Sequence, residues 1–358
     1  MNAVGDPTAL QCVLGFEIDT EDRIWILDQG QIGAAPAIPG AIKLVIWDSL
    51  QNVLIRSFPF PPAVASPSLS FLNDIVVDQT RNYAYISDCG NDFDPNRPLS
   101  DLKPGIVVYD YDTNSATRVL SQQPSVSINA SFTFSINGVP VFRSSPVRTG
   151  VDGIALSCDG NTLYFCALSS EQLYSIDTSS LRQPSVSDAV LESRVVPLGN
   201  KGTPSDGLVA DSDGGLFLTA LTLSGVLYSA QPSQAPPLSL VTVASDPSTM
   251  QWPDTLAFDG MGVLYFVSNQ LNNWNDGVVP TTVDNTTTNF RIWSVYVGVN
   301  SYLLGCSKAS LAISIAAGVL GGAVLASILV CLAVEWRKRR ARALNESSLN
   351  TALLQEEL

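Results

Sequence analysis

The chain has 358 residues, of which 46% are hydrophobic and 15% are charged, and its formal net charge at pH 7 is −14. It contains no histidine, which excludes Ser-His-Asp and Cys-His catalytic sites and every zinc site with a histidine ligand. The 25 glycines and 22 prolines are spread along the chain, a distribution typical of a folded, turn-rich protein.

Five similar units follow one another from residue 14. Each has a short β-type run, a polar turn, a second run that contains an aromatic residue, and a polar patch. β-branched and aromatic residues at nearly alternate positions, bounded by Gly, Asp and Asn, predict strands. The units are LGFEIDTEDRIWILDQG at 14, NDIVVDQTRNYAYISDCG at 73, DGIALSCDGNTLYFCALSS at 152, DGLVADSDGGLFLTALTLSG at 206 and DTLAFDGMGVLYFVSNQ at 254.

Most units continue into a third strand, and the units lie 48 to 79 residues apart. The third strands are AIKLVIWD, GIVVYDYD, QLYSID, GVLYSA and FRIWSVYVG. This spacing is typical of propeller blades with loop insertions, so we predict an all-β fold, a β-propeller over residues 1–305. A β-sandwich is the alternative. Because the first and last blades of a closed propeller must meet, we expect one further blade, missing at the N-terminal end.

An Asn or Asp stands at the head of four units, just before or within the first strand. Equivalent positions on the innermost strands of a propeller converge on its central channel. We predict a ring of oxygen groups there, suited to Ca²⁺ or another hard divalent cation, at Asn73, Asp152, Asp206 and Asp254. Ordinary turn chemistry before a glycine is the alternative, and it is our interpretation of the hairpin pair Asp159-Gly160.

Polar residues that follow the second strands of the late units are candidates for a ligand pocket beside this ring. They are Thr219, Ser268, Asn269 and Gln270. Trp252 and Trp274 are interpreted as packing residues, with a place beside the pocket as the alternative.

Two N-x-S/T sequons, at Asn129 and Asn285, lie in polar, loop-like stretches and are candidate glycosylation sites. The cysteines that precede residue 311 do not have the spacings of a zinc site. In an oxidising compartment they predict one or two disulfides with a thiol left over, and their pairing stays open. These cysteines are Cys12, Cys89, Cys158, Cys166 and Cys306.

Residues 311–334 contain no charge and, as a helix, span roughly 36 Å, enough to cross a hydrocarbon core of about 30 Å. A basic cluster follows directly and indicates the cytoplasmic side. We therefore predict a type I membrane protein with a linker at 306–310, one transmembrane helix and a cytoplasmic tail at 335–358. Gly318 and Gly322 form a GxxxG pattern, a candidate face for a weak helix dimer.

The N-terminal stretch MNAVGDPTALQC has neither the basic start nor the apolar core of a signal peptide. Because type I insertion requires such a peptide, we expect the N-terminal part of the protein to be missing from this sequence. Without the tail, 14 basic and 29 acidic residues remain, a net charge of about −15. This balance argues against contact of the ectodomain with nucleic acid or anionic lipid and favours cationic ligands.

Three stretches resemble motifs of the major royal jelly protein/Yellow family: LGFEIDTEDRIWILDQG, GIALSCDGNTLYFCALSSEQLYSI and the segment ending VLYFVSNQL. The resemblance covers about residues 10–300. It implies a six-bladed β-propeller, secretion and, in some members, binding of small aromatic amines or a link to pigment chemistry. It implies no single conserved reaction, and a C-terminal membrane anchor is unusual for the insect members.

A weaker similarity is to calcium-dependent lactonases of the gluconolactonase type, whose metal ligands occupy the place of the four head residues. The fifth unit has Leu14 there, so the ring is incomplete. Three functions stay open. The first is a membrane-anchored extracellular propeller that binds a small cationic or aromatic-amine ligand, the second a metal-dependent lactonase or hydrolase, and the third an adhesion or structural ectodomain.

Overall fold

A computed structural model describes residues 3–33, 35–90, 96–141, 147–183, 185–234, 236–275 and 288–307. The chain divides into a compact unit, Met1–Cys306, and a second unit, Ser307–Leu358. Within the described ranges, no helix is long and apolar enough to span a membrane. The predicted transmembrane helix, the tail, the Gly318/Gly322 face and the Asn285 sequon lie outside the described residues.

The predicted units form five antiparallel sheets, the blades of a β-propeller. Blade 1 contains β1 Val13–Ile18, β2 Arg23–Asp28, β3 Lys43–Asp48 and β4 Val53–Pro59, and blade 2 contains β5 Leu72–Asp78, β6 Tyr83–Asp88, β7 Gly105–Asp110 and β8 Ser115–Val119. A small hairpin, β9 Ser135–Ile136 and β10 Val139–Pro140, precedes blade 3. Blade 3 contains β11 Val151–Leu156, β12 Thr162–Ala167, β13 Gln172–Asp177 and β14 Val196–Asn200.

Blade 4 contains β15 Leu208–Ala210, β16 Leu216–Ala220, β17 Gly225–Ser229 and β18 Val241–Ser245, and blade 5 contains β19 Trp252–Phe258, β20 Val263–Asn269 and β21 Arg291–Tyr296. Short helices lie in the connections: α1 Thr178–Leu181, α2 Asp188–Glu192 and α3 Leu271–Asn275. Within each sheet the strands are in chain order, so the first strand of every blade is an edge strand. These first strands lie side by side and line the channel.

The core consists of apolar layers between successive blades. Trp25 and Leu44 of blade 1 pack with Ile75 and Ile86 of blade 2. Phe165 of blade 3 belongs to a layer that continues into blade 4, and further layers fill the space between blades 4 and 5. Because each blade is apolar on both faces, it is stable only with a neighbour on each side.

One face of blade 1 and one face of blade 5 are left exposed. On blade 1 the row Ile18, Ile24, Trp47 and Leu54 crosses all four strands, and the neighbouring Phe16 is 62% exposed. On blade 5, Ile292 is 79% exposed. These two faces are where the predicted further blade would pack, since every other blade face in the described ring is covered by a neighbouring sheet.

Cys158, in the hairpin turn between β11 and β12, forms a disulfide with Cys306 near the end of the described chain. Cys12, Cys89 and Cys166 are free thiols, and the last two are buried. The disulfide fixes the segment that follows blade 5 to blade 3.

Candidate functional site

The four head residues lie together at one end of the channel. In four blades the first strand has a register irregularity at this position: between Val13 and Gly15 in β1, Leu72 and Ile75 in β5, Val151 and Ile154 in β11, and Pro253 and Leu256 in β19. Such a bulge releases side chains from the alternation of the strand and can turn them toward a site. Asn73, Asp152 and Asp254 lie in these bulges, and Asp206 stands two residues before β15.

The glycines after Asp152 and Asp206 allow neighbouring blades to approach each other closely. A Cβ atom at Gly153 would lie 2.3 Å from the backbone oxygen of Asp206, and one at Gly207 would lie 2.2 Å from that of Asp254. These Asp-Gly pairs therefore meet a packing requirement between inner strands. By contrast, the pair Asp159-Gly160 meets the needs of a hairpin turn. Gly160 has a positive φ of 69°, and Asp159 accepts hydrogen bonds from the Ser157 hydroxyl and the Asn161 N–H.

Hydrogen bonds connect the head residues, which we call the ring, to one another and to their supports. Asn73 Nδ2 and Cys89 Sγ both donate to Asp152 Oδ1, the thiol at 3.4 Å. The carboxyls of Asp152 and Asp206 are neighbours, and the charge of Asp152 raises the pKa of Asp206. Asn269 Nδ2 donates to Asp254 Oδ2 at 2.8 Å.

Burial dominates the acid–base chemistry of the ring. It raises the pKa of Asp152 to about 7, the hydrogen bond from Asn73 opposes this rise, and the charge of Asp254 adds to it. Burial also raises the pKa of Asp206 well above its ordinary value, and the charges of Asp254 and Asp152 raise it further. Close carboxylates without a cation repel one another, so the ring retains protons near neutral pH.

Two further acids line the channel and are not predicted as site residues from the sequence. Asp74 accepts from the N–H groups of Ile75 and Ile154, and burial raises its pKa to about 8. Glu17 accepts from the hydroxyl of Tyr302 at 2.9 Å, and burial raises its pKa to about 7. The only sequence signal for Glu17 is a charged residue inside the apolar run of β1.

A cavity of about 720 Å³ occupies the channel below the ring. Ring and channel carboxyls line one part of it. Another part extends to the open faces of blades 1 and 5, because Phe16, Tyr265, Phe290 and Ile292 also line it. The channel itself combines acidic groups with apolar side chains of the inner strands, such as Leu208 and Leu256, a composition suited to an amphipathic ligand.

The predicted pocket residues occupy different places. Asn269 lines the cavity, whereas Thr219, Ser268 and Gln270 are not among the residues that line it. Thr219 Oγ1 accepts from the N–H groups of Asp206 and Gly207, so it supports the ring from behind. Ser268 accepts from Trp293 Nε1, and Gln270 donates to the Thr288 carbonyl oxygen.

Trp252 both packs and holds the ring. It is fully buried, in contact with Phe134 of the insertion between blades 2 and 3. Its Nε1 donates to Asp206 Oδ2 at 2.5 Å. The side chain of Trp274 lies outside the described residues.

The ring offers the oxygen ligands that hard cations prefer, but these oxygens bond to other side chains of the protein. In the part of the chain that the structure describes, no group of three or more Asp, Glu or Cys residues is arranged to hold a metal ion. A divalent cation would therefore have to displace the protons of the ring and draw its side chains together.

Two solved structures align with this chain at low sequence identity. A luciferin-regenerating enzyme aligns with 82% of this chain and 94% of its own, at 15% identity and a TM-score of 0.48. A gluconolactonase from Xanthomonas campestris aligns with 72% of this chain and 71% of its own, at 15% identity and a TM-score of 0.44.

The sequence has relatives in the honeybee, Apis mellifera. Major royal jelly protein 3 is 25% identical over 256 residues, which are 69% of this chain and 43% of that protein. Major royal jelly protein 1 is 26% identical over 174 residues, 46% of this chain and 36% of that protein. The chain thus spans less than half the length of these curated relatives. The sequence model of the family matches residues 11–299, and the chain therefore belongs to the major royal jelly protein family.

Proposed function

We propose that the propeller binds a small organic cation, an amine with an aromatic ring, in its channel. The observation that carries this proposal is the cavity itself, in which carboxyls and apolar side chains of the inner strands line one space. A cationic head would interact with Asp152, Asp206 and Asp254. Leu208 and Leu256, apolar residues of the inner strands that line the cavity, would contact the aromatic ring of the ligand.

Electrostatics supports a cation rather than an anion or a neutral compound. The ring contains three carboxyls with raised pKa values, so ionising all of them without a counter-charge is unfavourable. A bound ammonium group would supply that counter-charge and displace a proton. The net charge of the whole chain, −14, would attract the same ligands over longer distances.

A thermal-shift screen tests this proposal. We expect tyramine and phenethylamine to raise Tm, butylamine to raise it less, and 2-phenylethanol and 3-phenylpropionate to leave it unchanged. Asp152→Asn with Asp206→Asn should abolish the shift. Asp22→Asn is the matched control, since Asp22 is exposed in a hairpin turn with φ of 58°, a conformation that Asn tolerates. Absence of any shift with amines would contradict the proposal.

A divalent cation is the second candidate ligand, and with it a hydrolase of the lactonase type. The convergence of oxygen groups from four blades favours it. Asn73, Asp152, Asp206 and Asp254 would hold the metal, which would polarise a substrate carbonyl and activate water. Metal analysis of the purified protein and a lactone-hydrolysis assay test this function. If no divalent ion binds, and no activity depends on Asp152 and Asp206, the hydrolase is excluded.

We also propose that residues 311–334 anchor the protein in a membrane and that the propeller lies outside the cytosol. The support is the uncharged length of this segment and the basic residues that follow it.

A glycan on Asn129 would also indicate a place outside the cytosol. Asn129 is exposed, and its side chain accepts hydrogen bonds from the N–H and hydroxyl of Ser131. We expect resistance to alkaline extraction and a glycan that Asn129→Gln removes. Complete alkaline release would contradict the anchor.

For the fold, we propose that a sixth four-stranded blade completes the ring between the open faces of blades 1 and 5. Their exposed apolar rows support it. In a six-bladed protein, Ile292→Lys would bury an unpaired charge and prevent stable folding. In an open ring the same substitution would be nearly neutral, and that result would contradict the sixth blade.

A further inference from the structure

The segment Asn300–Cys306, which we call the clasp, crosses the end of the channel opposite the ring. It leaves blade 5 and first pairs with blade 4. The N–H of Ser212 donates to the Asn300 carbonyl oxygen at 2.8 Å, and Asp211 forms a β-bridge with Ser301. The clasp thus lies where the inner strands end, about one strand length from the ring.

Blades 1 and 2 hold the middle of the clasp. The Tyr302 hydroxyl accepts from the Val77 N–H at 2.9 Å and donates to Glu17 Oε2 at 2.9 Å. Gln79 Nε2 donates to the Leu303 carbonyl oxygen at 2.7 Å. Together with the disulfide to blade 3, these contacts attach the clasp to four blades.

The clasp also forms the floor of the cavity. Ser301, Tyr302, Leu303 and Leu304 line it. Of the seven clasp residues, only Tyr302 is buried. A segment with one buried side chain and a few hydrogen bonds has low local stability on its own, so the covalent link at its end has a large influence on whether it stays closed.

This link is accessible to a reductant. Cys306 is exposed and Cys158 is half-buried, whereas the free thiols of Cys89 and Cys166 are buried. Burial raises the pKa of Cys89 well above its ordinary value and also raises that of Cys166, so neither is a ready thiolate for exchange. Within the described residues, Cys158–Cys306 is the one disulfide, so a reductant acts at the end of the clasp.

We propose that the clasp is a redox-controlled floor of the ligand cavity. The Cys158–Cys306 disulfide holds it closed, and reduction by a dithiol opens it. In that step one thiolate of the dithiol attacks a sulfur of the disulfide, and its second thiol then resolves the mixed disulfide. The protein gains two electrons and two protons as Cys158 and Cys306 become thiols, and the dithiol becomes a disulfide.

Hydrogen exchange, followed by mass spectrometry on the full chain, tests this opening without any ligand. The samples are the oxidised protein, the protein reduced with dithiothreitol, and Cys158→Ser/Cys306→Ser. In the last two we expect the clasp amides to exchange at the earliest labelling times, while peptides from β11 and β15 stay protected. Cys12→Ser is the control and should match the oxidised protein.

Two results would overturn the proposal. The clasp amides could keep their protection after reduction, or they could lose it only together with β11 and β15. The first would mean that non-covalent contacts alone hold the floor. The second would mean that the disulfide stabilises the whole fold and does not control a local opening.

The consequence for binding rests on the proposed function and is measured separately. Without the disulfide, we expect the affinity for tyramine to fall about tenfold, because only the closed fraction binds. If hydrogen exchange shows that the clasp is open without the disulfide, and tyramine still binds both forms with equal affinity, the clasp is not the floor of the binding cavity. If tyramine binds neither state, the proposed function fails, and hydrogen exchange still decides whether the clasp opens.

Discussion

The indole N–H of Trp252 donates a hydrogen bond to Asp206 Oδ2 at 2.5 Å, in a place where neither side chain has appreciable contact with solvent. Burial and the charges of Asp254 and Asp152 raise the pKa of Asp206, so this tryptophan orients an acid that is already hard to ionise. Without this donor, Asp206 Oδ2 would lose a hydrogen bond while its carboxyl stays buried.

Trp252→Phe should therefore lower the free energy of unfolding by about 2 kcal/mol, and the loss should grow as pH rises through the raised pKa of Asp206, since the bond is stronger to the ionised carboxylate. Urea denaturation over a series of pH values measures it. Trp293→Phe is the matched control, because Trp293 donates to the neutral hydroxyl of Ser268. The free energy of unfolding that Trp293→Phe removes should be independent of pH. Equal pH dependence in the two variants would contradict the role of Trp252.

Alanine should destabilise the fold at Gly153, which follows Asp152 of the ring. It should be tolerated at Gly260, the glycine of an Asp-Gly pair in a hairpin turn. Gly153→Ala places a Cβ 2.3 Å from the Asp206 carbonyl oxygen, whereas at Gly260 no atom lies within 4 Å and φ is not positive. We expect Gly153→Ala to lower the free energy of unfolding by about 3 kcal/mol and Gly260→Ala to change it by less than about 0.5 kcal/mol. Chemical denaturation of the two variants compares them. Similar values would mean that the blades are not in close contact at Asp152.

Stability should fall as pH rises, because the channel acids are easier to protonate in the folded state than in the unfolded one. The pKa of Asp74 is raised from 3.8 to about 8 and that of Glu17 from 4.5 to about 7. Their contribution is complete below pH 4 and is lost as pH rises through 7 to 8, since the unfolded chain then binds fewer protons.

Asp74→Asn tests this dependence at one residue. The variant should be more stable than the natural protein at pH 9, by on the order of 2 kcal/mol, with little difference at pH 5. Urea denaturation across this range is the measurement. A natural protein that becomes more stable between pH 5 and pH 9 would show that these carboxyls are not buried together.

Repetition in the sequence explains why most of the fold is predictable. The first three strands of each blade have β-branched and aromatic residues on both faces, as in β12, which contains Leu163, Tyr164 and Phe165. The fourth strands are short and largely exposed, as β18 with VTVAS is, so their sequences do not distinguish them from loops. The disulfide is also not predictable, since 148 residues separate its cysteines.

For the site, the register between repeats predicts that Asn73, Asp152, Asp206 and Asp254 converge, because equivalent positions of inner strands meet in a propeller. Asp74 and Glu17 have no acidic counterparts in the other units. The bulge in β5 leaves Asp74 outside the regular register, and Tyr302, from the clasp, contacts Glu17 from a segment outside the repeats. The positions of Asp74 and Glu17 in the channel depend on packing between distant segments, which no local sequence pattern indicates.

Calorimetric titration of tyramine into the protein at pH 6.5, in two buffers of different ionisation enthalpy, tests the central claim most directly. Since the ring retains protons at this pH, a bound cation must release them. We predict saturable binding with release of about one proton per ligand, retained in Asp22→Asn and abolished in Asp152→Asn/Asp206→Asn. Binding without proton release, or binding that survives the double substitution, would contradict the ring as the cation site.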